Sequence, residues 1–214
     1  MVGRSPSRMS DNSAPLLAED VYQENQVHIG ALNKTKDMRP FISGVIKRGE
    51  GATIHVIDLS KTDERLALAA KLINTYEAKD ILVVSARQYG QRPARMFAQS
   101  IGAKQIVGRF IPGTLTNPNL PTYIEPRVIF VTDPQADSQA LAEGVKSGLP
   151  IIGICDTNNN LRNVDFCIPA NNKGRRSLAM IYWLLSREIL KARGETDDAT
   201  WAHQQKIDDW EASF

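Results

Sequence analysis

Apolar residues fall into short runs along this chain, and the runs predict the strands of a parallel sheet. The runs at 81–85, 128–131 and 151–155 do not alternate apolar with polar side chains. Strands of this kind are buried on both faces, which is typical of a parallel sheet covered by helices. Strands are predicted in this way over 53–58, 81–85, 105–108, 128–131, 151–155 and 164–168.

Amphipathic segments lie between these runs and predict helices over 62–78, 92–101, 137–147 and 174–193, with a shorter one near 22–29. Thr62 is a candidate N-cap for the first, and Gly102, Gly148 and Gly194 follow the others. Hydroxyl side chains favour helix N-termini and glycine favours the position after a helix. Because strands and helices alternate, we expect a single α/β domain over 16–194 with a doubly wound sheet in a three-layer α/β/α arrangement.

One long connection, residues 109–126, has neither helical nor strand periodicity. It holds four prolines, one glycine, two asparagines and three threonines, so it is turn-rich. Its eighteen residues exceed the usual length of a connection, and loops of this length are often functional or disordered. Six apolar side chains favour order, so we predict a shaped surface for a polar ligand.

The ends of the chain differ from its middle in charge. The net charge of +2 divides into −5 for residues 195–214 and +7 for the rest, an asymmetry that suggests a polyanionic partner. Residues 1–15 lack the apolar core of a signal peptide and are predicted to form a flexible arm. For Trp201 and Trp210 in the acidic tail, we expect a frayed segment, with docking on a basic neighbouring protein as the alternative.

Other side chains limit the possible chemistry. No apolar run reaches the roughly 20 residues of a membrane span. Cys155 and Cys167 lie in strand-like runs, and we interpret them as buried reduced thiols. His28 is interpreted as a structural hydrogen-bonding residue and His55 as a packed one; no metal-ligand spacing is present.

Basic residues form clusters where predicted strands end or helices begin. Backbone N–H groups and the positive dipole at a helix N-terminus, together with arginine, suit phosphate. The loop hydroxyls and amide also suit phosphate or 2′-hydroxyl groups. The predicted RNA-facing residues are Lys34, Lys36, Arg39, Arg87, Arg92, Arg95, Arg109, Thr114, Thr116, Asn117, Lys173, Arg175 and Arg176.

A competing interpretation uses three acidic residues, Asp58, Asp133 and Asp156, which follow predicted strands. Ligands of parallel sheets bind beyond the carboxyl ends of the strands, so an enzyme or small-ligand binder is the alternative function. No phosphate-binding glycine motif or nucleophile motif accompanies these acids. We therefore favour capping of turns and helices for them, and predict no catalytic residue and no cofactor.

Four blocks of the chain carry a family resemblance: HIGALNKTKDM (28–38), DILVVSARQYGQRPA (80–94), RFIPGTLTNP (109–118) and NNKGRRSLAMIYWLLSRE (171–188). Over residues 16–194 the chain resembles the archaeal and eukaryotic branch of the small-subunit ribosomal protein S2 family, which includes the laminin-receptor precursor. Within the first block the residues before Lys34 depart from the family pattern, so the resemblance supports Arg39 more strongly than Lys34.

The resemblance implies a flavodoxin-like strand order of 2-1-3-4-5, without the coiled-coil insertion of bacterial relatives. It also implies a non-enzymatic constituent of the small ribosomal subunit in the cytoplasm, active in translation and subunit assembly. Its implied partners are small-subunit rRNA and neighbouring small-subunit proteins, with no membrane and no obligate homo-oligomer. The basic and loop residues named above are the positions to which RNA binding is carried over.

Overall fold

The computed structural model describes residues 15–48 and 52–213, and strands and helices alternate through most of this range. The strands are β1 (Ile42–Arg48), β2 (Ala52–Ile57), β3 (Ile81–Ser85), β4 (Lys104–Val107), β5 (Val128–Val131), β6 (Ile151–Cys155) and β7 (Phe166–Pro169). The helices are α1 (Glu19–Glu24), α2 (Leu59–Ile73), α3 (Gln88–Ile101), α4 (Ser138–Lys146), α5 (Arg175–Arg193), α6 (Asp198–Gln204) and α7 (Ile207–Trp210). The predicted arm at 1–15 lies almost wholly outside the described residues.

The centre of the fold is a parallel sheet with the strand order β4-β3-β5-β6-β7. Numbered from the first strand of this sheet, the order is 2-1-3-4-5, so the predicted flavodoxin-like topology is confirmed. Three layers are present, because helices or loops cover both faces of the sheet.

The first predicted strand, 53–58, was wrongly placed in the parallel sheet. The corresponding strand β2 pairs antiparallel with β1, which the sequence did not predict, and Val45 faces His55 in their register. Val45 and Ile46 are 53% and 49% exposed, so β1 has no buried face to mark it as a strand. Local pairing within this hairpin, rather than burial in the central sheet, satisfies its backbone.

Three helices begin earlier than predicted, and the first of them, α1, also ends earlier, at Glu24. Asp58 caps α2, since its carboxylate accepts a hydrogen bond from Ser60 N at 3.1 Å. Thr62 is not the cap; its hydroxyl donates to Pro169 O at 2.7 Å and joins α2 to β7. Helix α3 starts at Gln88 and includes Pro93. The predicted glycine ends of α3 and α5 are confirmed by left-handed backbone at Gly102 and Gly194.

Alternate strand residues supply two cores. Ile81 and Val83 point to the larger core under α2, α3 and α5, whereas Leu82 and Val84 point to the smaller core under α4. Phe97, Phe130 and Tyr182 meet in the larger core, with ring centroids 5.4 to 5.6 Å apart. Helix α5 is buried along most of its length, because it lies centrally between α2 and α3.

The chain crosses from β4 to β5 without a helix. Residues 108–127 form a series of turns that, with α4, cover the second face of the sheet. Phe110 and Leu115 are buried there, 6% and 5% exposed, and hold the loop to the smaller core. The prediction of an ordered, turn-rich connection is confirmed.

The acidic tail is folded, so the expectation of a frayed segment is wrong. Trp201 and Trp210 are 4% and 1% exposed and pack in series on Trp183 of α5, with successive ring centroids 6.1 and 6.0 Å apart. Helix α6 is capped by Asp197, whose carboxylate accepts from Thr200 N at 2.7 Å. The tryptophans dock on the chain itself because α5 presents an apolar surface on that side.

Three further expectations concern individual side chains. Cys155 and Cys167 are buried and free, as predicted. His55 is buried as predicted, but Nδ1 of His28 has no hydrogen-bond partner among the described residues, so the hydrogen-bonding role is not seen at that atom. In the part of the chain that the structure describes, no helix has both the length and the apolar character to cross a membrane.

Candidate nucleic-acid interface

Buried acids lie at the carboxyl end of the parallel sheet, and cations cover them. The Nε atom of Arg87 donates to Asp133 Oδ2 at 2.9 Å, and its Nη2 contacts the same oxygen. Lys173 Nζ lies 2.8 Å from Asp156 Oδ2. The carboxylates are 1% exposed, whereas the Arg87 and Lys173 side chains are 28% and 38% exposed. In each pair the carboxylate is therefore buried and the basic side chain lies at the protein surface.

Asn159 joins the loops that follow β5, β6 and β7. Its amide nitrogen donates to Asp133 Oδ1 at 3.0 Å, and its oxygen accepts from Asp156 N at 2.7 Å and from Asn172 Nδ2 at 2.9 Å. The predicted capping of a turn is seen for Asp133, whose Oδ1 accepts from Gln135 N at 3.0 Å, whereas the ion pairs with Arg87 and Lys173 were not predicted. Among the described residues, no group of three or more side chains is arranged to hold a metal ion.

A third acid, Asp137, joins the ends of β3 and β5. Its carboxylate accepts from Ala86 N at 2.6 Å and from the amides of Thr132 and Asp133 at 3.0 Å. Burial raises the pKa of Asp137 to about 6, although these amides act to lower it. The contact to Ala86 fixes the residue next to Arg87, so Asp137 positions the arginine indirectly.

Close packing also sets the direction in which α3 leaves the sheet. A Cβ atom on Gly90 would lie 2.5 Å from Ser85 Oγ and 2.8 Å from Thr132 Cγ2. Only glycine fits without displacing one of them, and the first turn of α3 therefore sits directly on the ends of β3 and β5. Arg92 and Arg95, on the next turn, are exposed.

The segment that carries Lys34, Lys36 and Arg39 lies on the loop after β6. Thr35 Oγ1 donates to Asn159 O at 2.7 Å, and Thr35 N donates to Thr157 O at 2.9 Å. All three cations of the segment are exposed. These hydrogen bonds join residues more than a hundred positions apart in the sequence. They hold the first basic cluster on the loop that also carries Asp156, the partner of Lys173.

The C-terminal segment contacts the cations at the starts of α3 and α5. Glu211 lies 3.0 Å from Arg175 Nε and 3.1 Å from Arg176 Nε. Arg92 Nε donates to Asp209 O at 2.9 Å. Arg95 lines a neighbouring cavity of about 410 Å³. These four arginines form one basic surface, partly occupied by the protein's own carboxylate and carbonyl.

The long loop is anchored on α4 by Glu143. This carboxylate is buried and accepts from Gly113 N at 2.6 Å and Leu115 N at 3.0 Å. Burial acts to raise the pKa of Glu143, but hydrogen bonds from Gly113, Leu115, Gln139 and Thr116 outweigh it and lower the pKa below its ordinary value. The loop therefore has a defined shape without regular secondary structure.

The structure brings most of the predicted residues together and separates a few. The following predicted side chains lie at or beside the carboxyl end of the sheet: Lys34, Lys36, Arg39, Arg87, Arg92, Arg95, Arg109, Lys173, Arg175 and Arg176. Thr114, Thr116 and Asn117 lie instead on the face covered by α4. Thr114 is 2% exposed and its hydroxyl donates to Ile111 O, whereas Thr116 and Asn117 are exposed.

Sequence reasoning missed three residues that organise this surface: Asn159, Asp137 and Glu143. Asn159 belongs to a run of three asparagines after β6, and this run of amide side chains was the available signal. Asp137 was interpreted only as the start of a helix. Glu143 lies on the inner side of a predicted helix, where a carboxylate needs partners, and this position was the available signal.

Comparisons with known proteins all identify the same family. A family model described as ribosomal protein S2 matches residues 23–125 and 119–192. The chain is 50% identical over 199 residues to small ribosomal subunit protein uS2 of Picrophilus torridus, covering 93% of this chain and 97% of that protein. It is 52% identical to the proteins of the same name from Thermoplasma acidophilum, over 93% and 98% of the two chains, and from Methanoregula boonei, over 84% and 87%.

Proposed function

Because the chain belongs to the ribosomal protein S2 family, we propose that it is a structural constituent of the small ribosomal subunit. It binds rRNA through the carboxyl end of its parallel sheet and supports subunit assembly and translation in the cytoplasm. The observation that carries this proposal is the separation of charge at that end, where the acids are buried and the cations face outward.

The separation of charge suits a phosphate backbone. Asp133 and Asp156 are neutralised inside the protein, so the exposed surface keeps the positive charge of the clusters. Both α3 and α5 begin at this end, and the positive ends of their dipoles add to the field. Contacts of this kind position the protein on folded RNA by shape rather than by base sequence.

The predicted contacts differ in how freely they can reach RNA. Lys34, Lys36, Arg39, Arg95 and Arg109 are exposed. Arg92, Arg175 and Arg176 are also exposed, but they contact the C-terminal segment and must exchange those contacts for RNA. Arg87 and Lys173 are ion-paired with Asp133 and Asp156, so they add no net charge and are proposed as contacts made from fixed positions. Thr116 and Asn117 are proposed as further contacts on the α4 face, and Thr114 as a residue that shapes the loop.

The geometry does not favour the enzymatic alternative. Asp58 caps α2, while Asp133 and Asp156 direct their oxygens to Arg87, Asn159 and Lys173. A general base needs a free lone pair directed at a substrate. We therefore propose no catalytic role and no cofactor; small-subunit rRNA and neighbouring small-subunit proteins are the proposed partners.

Salt dependence of RNA binding tests the proposal. The affinity for a transcript of archaeal small-subunit rRNA is measured between 50 and 200 mM salt, where each phosphate contact contributes roughly −0.7 to −0.9 to the logarithmic slope. Arg175→Ala/Arg176→Ala is expected to make the slope shallower by about 1.4 to 1.8 and to leave the thermal midpoint nearly unchanged.

Lys71→Ala/Lys79→Ala is the matched control, because it removes the same charge from exposed positions away from the carboxyl end. Its slope should equal that of the unmodified protein. A flat salt response of the unmodified protein, or equal losses in the two double variants, would contradict binding at this surface. Co-sedimentation with small subunits from a lysate at low salt is the independent check.

A further inference from the structure

An open groove runs along the free edge of the parallel sheet. Strand β4 pairs only with β3 among the described strands, so its outer edge has no neighbouring strand. The groove encloses about 650 Å³ between β4 and the loop that follows it. Ile106, Ile111 and Ile124 line it, and Ile111 is 49% exposed. An exposed strand edge beside an apolar groove is a template for an added strand.

The charge of the groove limits what can occupy it. Lys104 at the start of β4 and Arg109 just beyond its end line the groove, and none of the lining residues among those described is acidic. A second copy of the chain would bring like charges together along the same edge, which opposes self-pairing. The occupant that fits best is apolar along its middle and acidic at its ends.

We infer that the groove binds an extended segment of a partner protein, with alternating apolar side chains and acidic ends, by strand addition to β4. The four residues of β4 span about 13 Å at roughly 3.3 Å per residue, so a segment of about four to six residues fills the edge. Main-chain hydrogen bonds to the edge supply affinity, and the isoleucine-lined wall selects the apolar side chains.

An RNA strand fits this groove less well, because three isoleucines line its walls and only two cations lie at its ends. The inference goes beyond the proposed RNA surface: of the predicted RNA-facing residues, only Arg109 and the buried Thr114 also line the groove. Substitutions in the groove that leave Arg109 intact therefore distinguish peptide binding from RNA binding. They should change the affinity for the peptide and leave the affinity for RNA unchanged.

The test uses the full chain and a fluorescein-labelled heptapeptide of alternating valine and threonine with an aspartate at each end. Fluorescence anisotropy should show saturable binding. The same peptide with a lysine at each end, or with methylated central amide nitrogens, should bind at least tenfold more weakly. Lys104→Glu should weaken binding of the aspartate peptide and strengthen binding of the lysine peptide until the two are about equal, because the charge is reversed at one end of the groove while Arg109 remains at the other.

Ile111→Ser should weaken peptide binding at least fivefold and leave the rRNA affinity within twofold. Leu68→Ser is the matched control, since Leu68 is also exposed but lies on α2, against the opposite face of the sheet. The inference is overturned if the unmodified protein binds the two charged peptides equally, if the two serine variants have equal effects, if Ile111→Ser weakens rRNA binding as much as peptide binding, or if the free chain sediments as a dimer that Ile111→Ser disrupts.

Discussion

Replacing Arg87 by alanine leaves a buried carboxylate without its cation, and this change tests how the basic end of the sheet is built. Asp133 is 1% exposed, and its Oδ2 accepts hydrogen bonds only from Arg87 among the described residues. Its other oxygen keeps the amide of Asn159 and the backbone N–H of Gln135, each at 3.0 Å. The variant therefore removes all partners of one buried oxygen and none of the other.

The expected cost follows from this geometry. Breaking a buried ion pair by removing one partner costs about 3–5 kcal/mol. Arg87 is 28% exposed, so water reaches part of the vacated space and the lower end of the range, about 3 kcal/mol, applies. In Arg87→Ala/Asp133→Asn the amide oxygen can still accept from Asn159 and Gln135, and no charge is buried. We expect this double variant to be at least about 1.5 kcal/mol more stable than Arg87→Ala.

Urea unfolding at pH 7, followed by circular dichroism, measures these differences. Arg95→Ala is the control, because Arg95 is exposed and carries the same charge; it should change the free energy of unfolding by less than about 0.5 kcal/mol. A loss below about 1 kcal/mol for Arg87→Ala, or no recovery in the double variant, would refute the view that Asp133 is a buried charge held by Arg87.

Three further predictions concern the tail, pH and the long loop. Trp210→Ala should lower the free energy of unfolding by about 3 kcal/mol in urea titration, because Trp210 is 1% exposed and fills the space beside Trp201. Burial raises the pKa of Asp137 from 3.8 to about 6, so the folded state binds this proton more tightly. The protonated carboxyl group of Asp137 therefore stabilises the folded state at low pH, and this stabilisation is lost as the pH rises through about 6. The free energy of unfolding of the unmodified protein, measured relative to that of Asp137→Asn, should fall between pH 4 and 7. Glu143→Ala should speed hydrogen exchange at the amides of Gly113 and Leu115, because both lose their acceptor.

Each of these has an outcome that contradicts it. A change below about 1 kcal/mol for Trp210→Ala would indicate that the segment is frayed in solution; Val145→Ala, at an exposed apolar position, is the comparison. A constant difference between wild type and Asp137→Asn across the pH range would exclude the raised pKa. Unchanged exchange at Gly113 and Leu115 in Glu143→Ala would show that the loop keeps its shape without α4.

The sequence predicted β3, β5 and β6 of the central sheet because these strands are buried on both faces. The unbroken apolar run of β5, for instance, is short and rich in β-branched residues, as is typical of a buried strand, and the family resemblance supplied the strand order. Strand β1 was missed because its side chains are exposed, so burial left no pattern to detect. The start of α3 was missed because arginine and glutamine near Gly90 gave no apolar periodicity before Pro93.

The basic clusters were visible in the sequence, but their anchoring was not. Arg87 pairs with an acid 46 residues away in the sequence, and Lys173 pairs with one 17 residues away. The charge pattern within one segment does not reveal such pairs. The contact of Glu211 with Arg175 was hidden for the same reason. The sequence shows where basic residues cluster, but only the fold shows which of them already form ion pairs with the protein's own acids.

The docking of the tail on α5 has a consequence for the order in which the protein becomes complete. Trp183 lies in the middle of α5, where the Arg187 guanidinium and the Trp201 ring both lie against its indole, and Trp210 packs in turn on Trp201. A nascent chain that stops at residue 194 can form the whole parallel sheet but leaves an indole surface open to water. The last turns to be synthesised thus cover a hydrophobic patch of the kind that chaperones recognise.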